Sequence, residues 1–342
     1  MFKFKIITTH FQAEEKYGPI VEVNNVAKWL SELCPDDLQI AFAPYKGQTS
    51  WHRDSQIRII RRDDPGWWNH YHNNYDNAYQ KEKGRKWSLG PIVDTGKPLT
   101  KQVPIIAISE FHKQITMEDM GYNEELISLI PTIVDTHLFS PGQKNKEITV
   151  GWIGYDNGFD KAREKKGVEV IPFLAKKFPH IQFEMVHALK PAFTHEWLKE
   201  DLPNLKIITG IAHDKMPEII RRWHVMVCGS KWETGATSVV EAMSCGVPII
   251  AANMQVLPEI ASSQILLDVT YSHPPETEYP FDWTKESLQK FADALEHMLS
   301  DPIRYQTYVS DAIKASQRQS PENVAKKWFE FIYKCRDYYN KK

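Results

Sequence analysis

Apolar and polar positions follow two regimes along this chain. From 149 onward, short apolar runs of strand length alternate with stretches of helical spacing. Thr149 to Ile153, Ile181 to Val186, Leu205 to Thr209, Val225 to Cys228 and Pro248 to Ala251 read as strands. Val168 to Lys177, Met216 to Arg222 and about Thr237 to Ser244 read as helices. Strands alternating with helices predict a parallel sheet, whose ligands gather at the carboxyl ends of the strands. The first half shows the pattern less regularly. Residues 4–9 predict a strand, and 21–33 a helix with Val23, Val26, Ala27, Leu30 and Leu33 on one side. Leu38 to Ala43 and Ile57 to Ile60 predict short strands, Pro104 to Ser109 a buried strand, and 110–120 a helix. This start matches half of a doubly wound sheet. The stretch 61–103 is polar and aromatic and gives no assignment. Ser140 to Asn145 is turn-rich, which places a boundary between domains 1–145 and 146–320. The tail over 321–342 is amphipathic, with Trp328, Phe331, Ile332 and Tyr339 apolar.

Composition narrows the picture in a few places. A length of 342 residues with 42% hydrophobic content suits two packed domains. No apolar run is long enough to cross a bilayer, and the opening Met1 to Ile7 reads as a strand rather than a signal peptide. Cys34, Cys228, Cys245 and Cys335 are scattered without metal-ligand spacing, so reduced thiols in a cytoplasmic protein are expected. A formal charge of −2 supplies no bulk drive toward nucleic acid or an anionic membrane. The 11 tryptophans and 14 tyrosines suit sugar-stacking surfaces and apolar cores alike.

The stretch that carries chemistry is Glu233-Thr-Gly-Ala-Thr-Ser-Val-Val-Glu241. Two carboxylates bracket a small-residue turn, Gly235 to Ser238, that opens a helix after the strand ending at Cys228. Thr237 or Ser238 is the expected N-cap, since a short hydroxyl accepts from a first-turn N–H. Strand, turn and helix N-terminus form an anion site without any lysine. A nucleotide-sugar fits this order: the diphosphate at the helix end, the ribose diol on Glu241 and the hexose on Glu233.

With Glu241-Ala-Met and Gly246-Val-Pro-Ile-Ile-Ala251 following, this string resembles the retaining glycosyltransferases of the two-Rossmann (GT-B) fold, the family 4 or "glycosyl transferases group 1" type. Ile106-Ala-Ile-Ser109-Glu-Phe111 is similar to a strand end of that family. Ile130-Pro131 with Val134-Asp135 and Phe139 is similar to its interdomain segment, and Val150 to Gly154 followed by Lys166-Gly167 to its lysine stretch. The resemblance implies an α/β fold of two Rossmann-like doubly wound parallel-sheet domains facing a cleft, with the final helix crossing back onto the first domain. It implies transfer of a hexose from a UDP- or GDP-linked sugar to a glycan, lipid-linked or other hydroxyl acceptor, with retention, no metal and no cofactor. The implied donor-site residues are Gly235, Ala236, Thr237, Ser238 and Glu241, with Gly18 from the first domain. Glu233 and Lys166 are the implied catalytic residues, Lys166 standing where the family lysine meets the diphosphate. A first-domain histidine touches the donor sugar in this family; His10, His70 and His72 are the candidates, and His72 is the one chosen.

Departures from the family pattern are specific. Tyr155 stands where the family has an arginine, with Arg163 a candidate to supply that charge, and Pro19 replaces a glycine and removes an N–H. Thr132-Ile133 replaces Asn-Gly, and His187-Ala-Leu-Lys190 replaces a glycine turn. These open one alternative, a nucleotide-sugar or glycan-binding scaffold without turnover; a nucleotide-sugar 2-epimerase, which uses the same fold, is a second, though it needs acid/base carboxylates in the first domain and no pair there is convincing. Trp51, Arg53, Arg58, Trp67, Trp68, Tyr71, Tyr75 and Lys81 to Trp87 form a basic, aromatic region. Most of it is expected to pack on the domain below, with some residues lining the acceptor side; a nucleic-acid acceptor is the minority reading. His213 and His224 read as scaffold.

Overall fold

The computed structural model describes residues 1–8, 18–44, 57–59, 66–72, 87–90, 102–154, 166–187, 201–271 and 283–340. The chain forms two compact units, Met1–Val134 with Gln319–Lys342, and Asp135–Arg318. It leaves the first unit ahead of the turn at 140–145. Gln319 returns it there: its backbone carbonyl accepts from the Val134 N–H at 3.0 Å, and its side chain from the Thr132 hydroxyl at 3.1 Å.

The first unit holds β1 (Phe2–Thr8), α1 (Gly18–Glu32), β2 (Leu38–Pro44), β3 (Trp68–His72), β4 (Trp87–Leu89), β5 (Ile105–Ala107), α2 (Glu110–Glu118) and β6 (Ile127–Leu129). Its strands lie in the order β2-β1-β3-β4-β5-β6, all paired in parallel. The apolar side of α1, with Val23, Val26, Ala27 and Leu30, packs on Phe4, Ile6, Ile40 and Phe42 of the sheet. One expectation is corrected here, and one unassigned stretch is filled in. The apolar pattern predicts a strand from Ile57 to Ile60, but among the described residues 57–59 only a single bridge forms, Ile59 to Phe42. The stretch 61–103, which the apolar pattern leaves unassigned, supplies the central strands β3 and β4, and Trp68 and Tyr71 pack in the core, as most of that region is expected to. Of the rest of the basic, aromatic region, 51–56, 60–65 and 73–86 lie outside the described residues.

The second unit holds β7 (Thr149–Gly154), α3 (Val170–Lys177), β8 (Gln182–His187), β9 (Leu205–Thr209), α4 (Met216–Ile220), β10 (Val225–Cys228), α5 (Thr237–Ser244), β11 (Ile249–Ala252), α6 (Leu257–Ile260), β12 (Ile265–Leu267), α7 (Lys285–Leu299) and α8 (Pro302–Ser316). The order β12-β11-β10-β7-β8-β9 is again parallel throughout. Parallel strands covered by helices on their faces read as continuous apolar runs; Val225 to Cys228 and Ile249 to Ala252 are buried end to end. A buried carboxylate, Glu184 of β8, accepts from Arg222 Nη2 at 2.9 Å and from Trp223 Nε1 at 2.7 Å, which fixes the chain entering β10. The sheet order reverses between β7 and β10, so the loops after those two strands share the switch point where ligands settle.

The last helix, α9 (Pro321–Asn340), belongs to the first unit. Its buried stripe of Val324, Ala325, Trp328, Phe331, Ile332 and Cys335 joins the same core as α1 and β1. Among the described residues, no helix is long and apolar enough to cross a membrane.

Candidate active site

The chain reaches α5 from β10 through residues 229–236, a segment held at several points. Trp283 Nε1 donates to the Gly229 carbonyl at 3.0 Å. Gln255 clamps the middle, its Nε2 donating to the Lys231 carbonyl at 3.1 Å while its Oε1 accepts from the Glu233 N–H at 3.3 Å. Lys231, fully buried, donates to Glu169 Oε1 at 2.6 Å and lies 5.4 Å from the centre of the Trp283 ring.

The cap of α5 corrects the expectation. Its N-cap is Ala236, at φ 43 and ψ 43 in the left-handed region, without any side-chain cap. Left-handed backbone costs a residue with a Cβ about 1–2 kcal/mol. The Ala236 carbonyl already accepts from the Val239 N–H at 2.9 Å. The helix therefore starts at Thr237, and the hydroxyls of Thr237 and Ser238 fall inside its first turn. Gly235, Thr237 and Ser238 are half-buried, and Ala236 is buried.

Lys166 and Glu233 meet here although 67 positions apart. Lys166 Nζ donates to Glu233 Oε1 at 2.5 Å, with side chains 28% and 13% exposed. Burial works against the ammonium charge, but the Glu233 carboxylate outweighs it and holds the Lys166 pKa above its ordinary value. Gly167 makes the approach possible. It sits at φ +55, and a Cβ there would run into the Gly229 carbonyl. The segment after β7 and the segment after β10 thus touch backbone to backbone, and Lys166 is delivered to Glu233.

Glu241, buried on α5, has its own base. His213 Nε2 lies 2.7 Å from Glu241 Oε1, in a short 3-10 turn, His213–Lys215, beyond the end of β9. The His213 ring rests on Phe139 with centroids 5.2 Å apart, and the Ser244 hydroxyl of α5 donates to the Phe139 carbonyl. Sequence alone reads His213 as scaffold; the structure instead joins it to a candidate donor residue. A signal existed: His213 lies just past the carboxyl end of a parallel strand, where ligand-facing side chains collect.

Gly18 and His72 belong to the first unit. Gly18 is the first residue of α1. His72 ends β3, buried, with Nε2 at 2.8 Å from Glu22 Oε2 and Nδ1 at 3.3 Å from His70 Nε2. His70 Nδ1 in turn meets Ser88 Oγ at 3.0 Å, which also accepts from Trp68 Nε1 at 3.1 Å. Burial and the neighbouring His72 push the His70 pKa well below its usual value, so that ring is neutral. His10, Tyr155 and Arg163 lie outside the described residues. Among the described residues, no group of three histidine, cysteine or carboxylate side chains is placed to hold a metal ion.

Comparison with known proteins adds a family match over part of the chain. Residues 192–315 match the family described as glycosyl transferases group 1. One human relative, a component of phosphatidylinositol N-acetylglucosaminyltransferase, is 22% identical over 172 residues, covering 48% of this chain and 34% of the relative. The alignment thus spans about a third of that relative's length. Sucrose-phosphate synthase from Thermosynechococcus elongatus superposes with a TM-score of 0.70 at 15% identity, over 98% of this chain and 99% of that one. An Anabaena protein solved with UDP-glucose superposes with a TM-score of 0.67 at 15% identity, over 96% of this chain and 99% of that one. At such identities the likeness establishes the fold, and the fold is GT-B, as the resemblance implied.

Proposed function

We propose that this chain, of the group 1 glycosyltransferase family and the GT-B fold, moves a hexose from a nucleotide-sugar to a hydroxyl acceptor with retention at the anomeric carbon. The observation that carries the reading is the frame around the start of α5. The carboxylates of Glu233 and Glu241 each stand beside a base, on either side of a left-handed turn that opens a helix.

The chemistry follows from these residues. Amides of the first turn of α5 and the positive end of the helix would take the diphosphate. Lys166 is already aimed at this place, and on donor binding its ammonium would exchange Glu233 for phosphate oxygen. Glu233, released, would accept from sugar hydroxyls, and Glu241 from the ribose diol. In the transfer step the acceptor oxygen bonds to the anomeric carbon as the bond from that carbon to the diphosphate oxygen breaks. The acceptor proton passes to the departing diphosphate. Fixed dipoles facing the developing negative charge lower the barrier without a protein nucleophile or a metal.

The Anabaena neighbour's UDP-glucose supports a UDP-linked donor. The human relative's name joins N-acetylglucosaminyl transfer to phosphatidylinositol, so an N-acetylhexosamine donor and a lipid-borne hydroxyl belong among the substrates tried. The test is a thermal-shift panel of UDP-, GDP- and ADP-sugars, followed by nucleoside diphosphate release with and without acceptors. One class of donor should raise the unfolding temperature and release its diphosphate faster with the right acceptor; the product's anomeric coupling in NMR reports retention. Glu241→Ala should weaken donor binding about tenfold or more, the loss expected for a charged group's hydrogen bonds. Tight binding without turnover would point to the scaffold alternative, and a 2-epimerised donor to the epimerase.

A further inference from the structure

We infer that His213 is a positioning residue for nucleotide recognition: it fixes the Glu241 carboxylate in the plane that reads a ribose diol. The inference rests on the proposed donor site and adds to it a residue outside the two-glutamate motif. Its basis is geometric. Nε2 of His213 faces Glu241 Oε1 at 2.7 Å, with both side chains largely buried, 12% and 7% exposed. A nitrogen that close to a carboxylate oxygen carries the hydrogen, so His213 donates in its neutral and its protonated form alike.

A carboxylate has two oxygens and about four acceptor positions. One donor anchored on Oε1 stops the group from rotating and leaves acceptor capacity for two adjacent hydroxyls. The anchor is itself held. The imidazole lies on the Phe139 ring, and the Phe139 carbonyl accepts from Ser244, on the same helix that carries Glu241. Histidine, phenylalanine and α5 therefore form one closed circuit, and the carboxylate cannot shift unless the circuit opens. Orientation of this kind raises affinity by removing rotamer freedom before the ligand arrives.

The test separates a ribose-directed role from a general structural one. Binding of UDP, GDP and ADP is measured by calorimetry, together with the 2′,3′-dideoxy form of whichever binds. His213→Phe keeps a ring against Phe139 and removes the donor; His213→Gln keeps an N–H donor. The expected result is a dissociation constant raised about tenfold in His213→Phe for the ribonucleotide, with the dideoxy ligand changed less than about twofold and His213→Gln recovering most of the loss. Adding His213→Phe to Glu241→Gln should have little further effect. If His213→Phe does not fold, His213→Asn, too short to reach Oε1, takes its place. Equal losses for ribonucleotide and dideoxynucleotide, or no loss, would overturn the inference while leaving the donor reading intact. Failure of the wild-type chain to bind all three diphosphates would overturn both.

Discussion

A histidine buried neutral reports on itself through acid. His70 is enclosed by its own sheet and by α9: the Phe4 ring stacks on it at 5.5 Å, and Trp328 and Phe331 meet it edge-on at 5.4 and 5.6 Å. The polar groups around it are His72 on the same strand, Ser88 on β4 and, through His72, Glu22 on α1. Its pKa is depressed in the folded state, by burial first and His72 second. Below about 6.5 the unfolded chain takes up a proton that the folded chain refuses, so stability falls as pH drops from the unfolded pKa toward the folded one. One such group sets a limiting slope of about 1.4 kcal/mol per pH unit. His224 in the second unit is lowered too, by burial and Lys144, and adds in the same direction. His70→Gln should flatten this slope below about pH 6.5, by up to one proton's share as the unfolded chain becomes fully protonated, measured as urea stability against pH. An unchanged slope would mean that His70 titrates normally in the folded protein.

At the scale of elements, the turn into α5 is the place where strain and site coincide. Ala236 holds a left-handed conformation that glycine adopts without steric cost, while glycine loses more chain entropy on folding. The two effects nearly cancel, so Ala236→Gly should leave urea stability unchanged or raise it by up to about 1 kcal/mol. Ala236→Val, β-branched and buried, should lose about 2 kcal/mol or more. A tolerated valine would show that this turn relaxes. The sequence pattern reveals less here than elsewhere. The alternation from 149 to 251 is legible because parallel strands buried on both faces are plain apolar runs. The pairing of Lys166 with Glu233 is not visible as a contact, since it depends on Gly167 crossing Gly229. The left-handed cap is hidden because Thr237 and Ser238 advertise a hydroxyl cap that the backbone at 236 displaces. Strands β3 and β4 are hidden for another reason. Their buried positions include Asn69, His70, His72 and Ser88, and polar residues packed among one another look solvent-exposed in a linear reading.

The whole molecule is two cores built from one chain that crosses between them twice. The last helix helps close the first core: Val324, Trp328, Phe331 and Ile332 are buried in one cluster with residues of α1, β1 and β2. Further ties run from α9 to the same unit, with Tyr333 donating to Asp37 at 2.7 Å and the Tyr338 hydroxyl to the Gln102 carbonyl at 3.1 Å. Full burial of a large apolar side chain contributes about 1.5–3 kcal/mol. Four of them therefore supply about 6–12 kcal/mol, comparable to the entire stability of an ordinary domain. The second unit has its own core, and among its described members none comes from α9. A chain ended after Ser320 should consequently lose hydrogen-exchange protection across residues 1–134 and keep it in β7 to β12. The milder Trp328→Ala should lower only the first unit's stability, by about 3–5 kcal/mol. The nucleotide provides the complementary perturbation. If the donor site is assembled on the second unit around α5, a nucleoside diphosphate should still slow exchange near 229–241 in the truncated chain, because a ligand stabilises only the fold that binds it. Loss of protection in both units together would show that the second fold depends on the first, and that the site needs the long-range closure of α9 as much as its own loops.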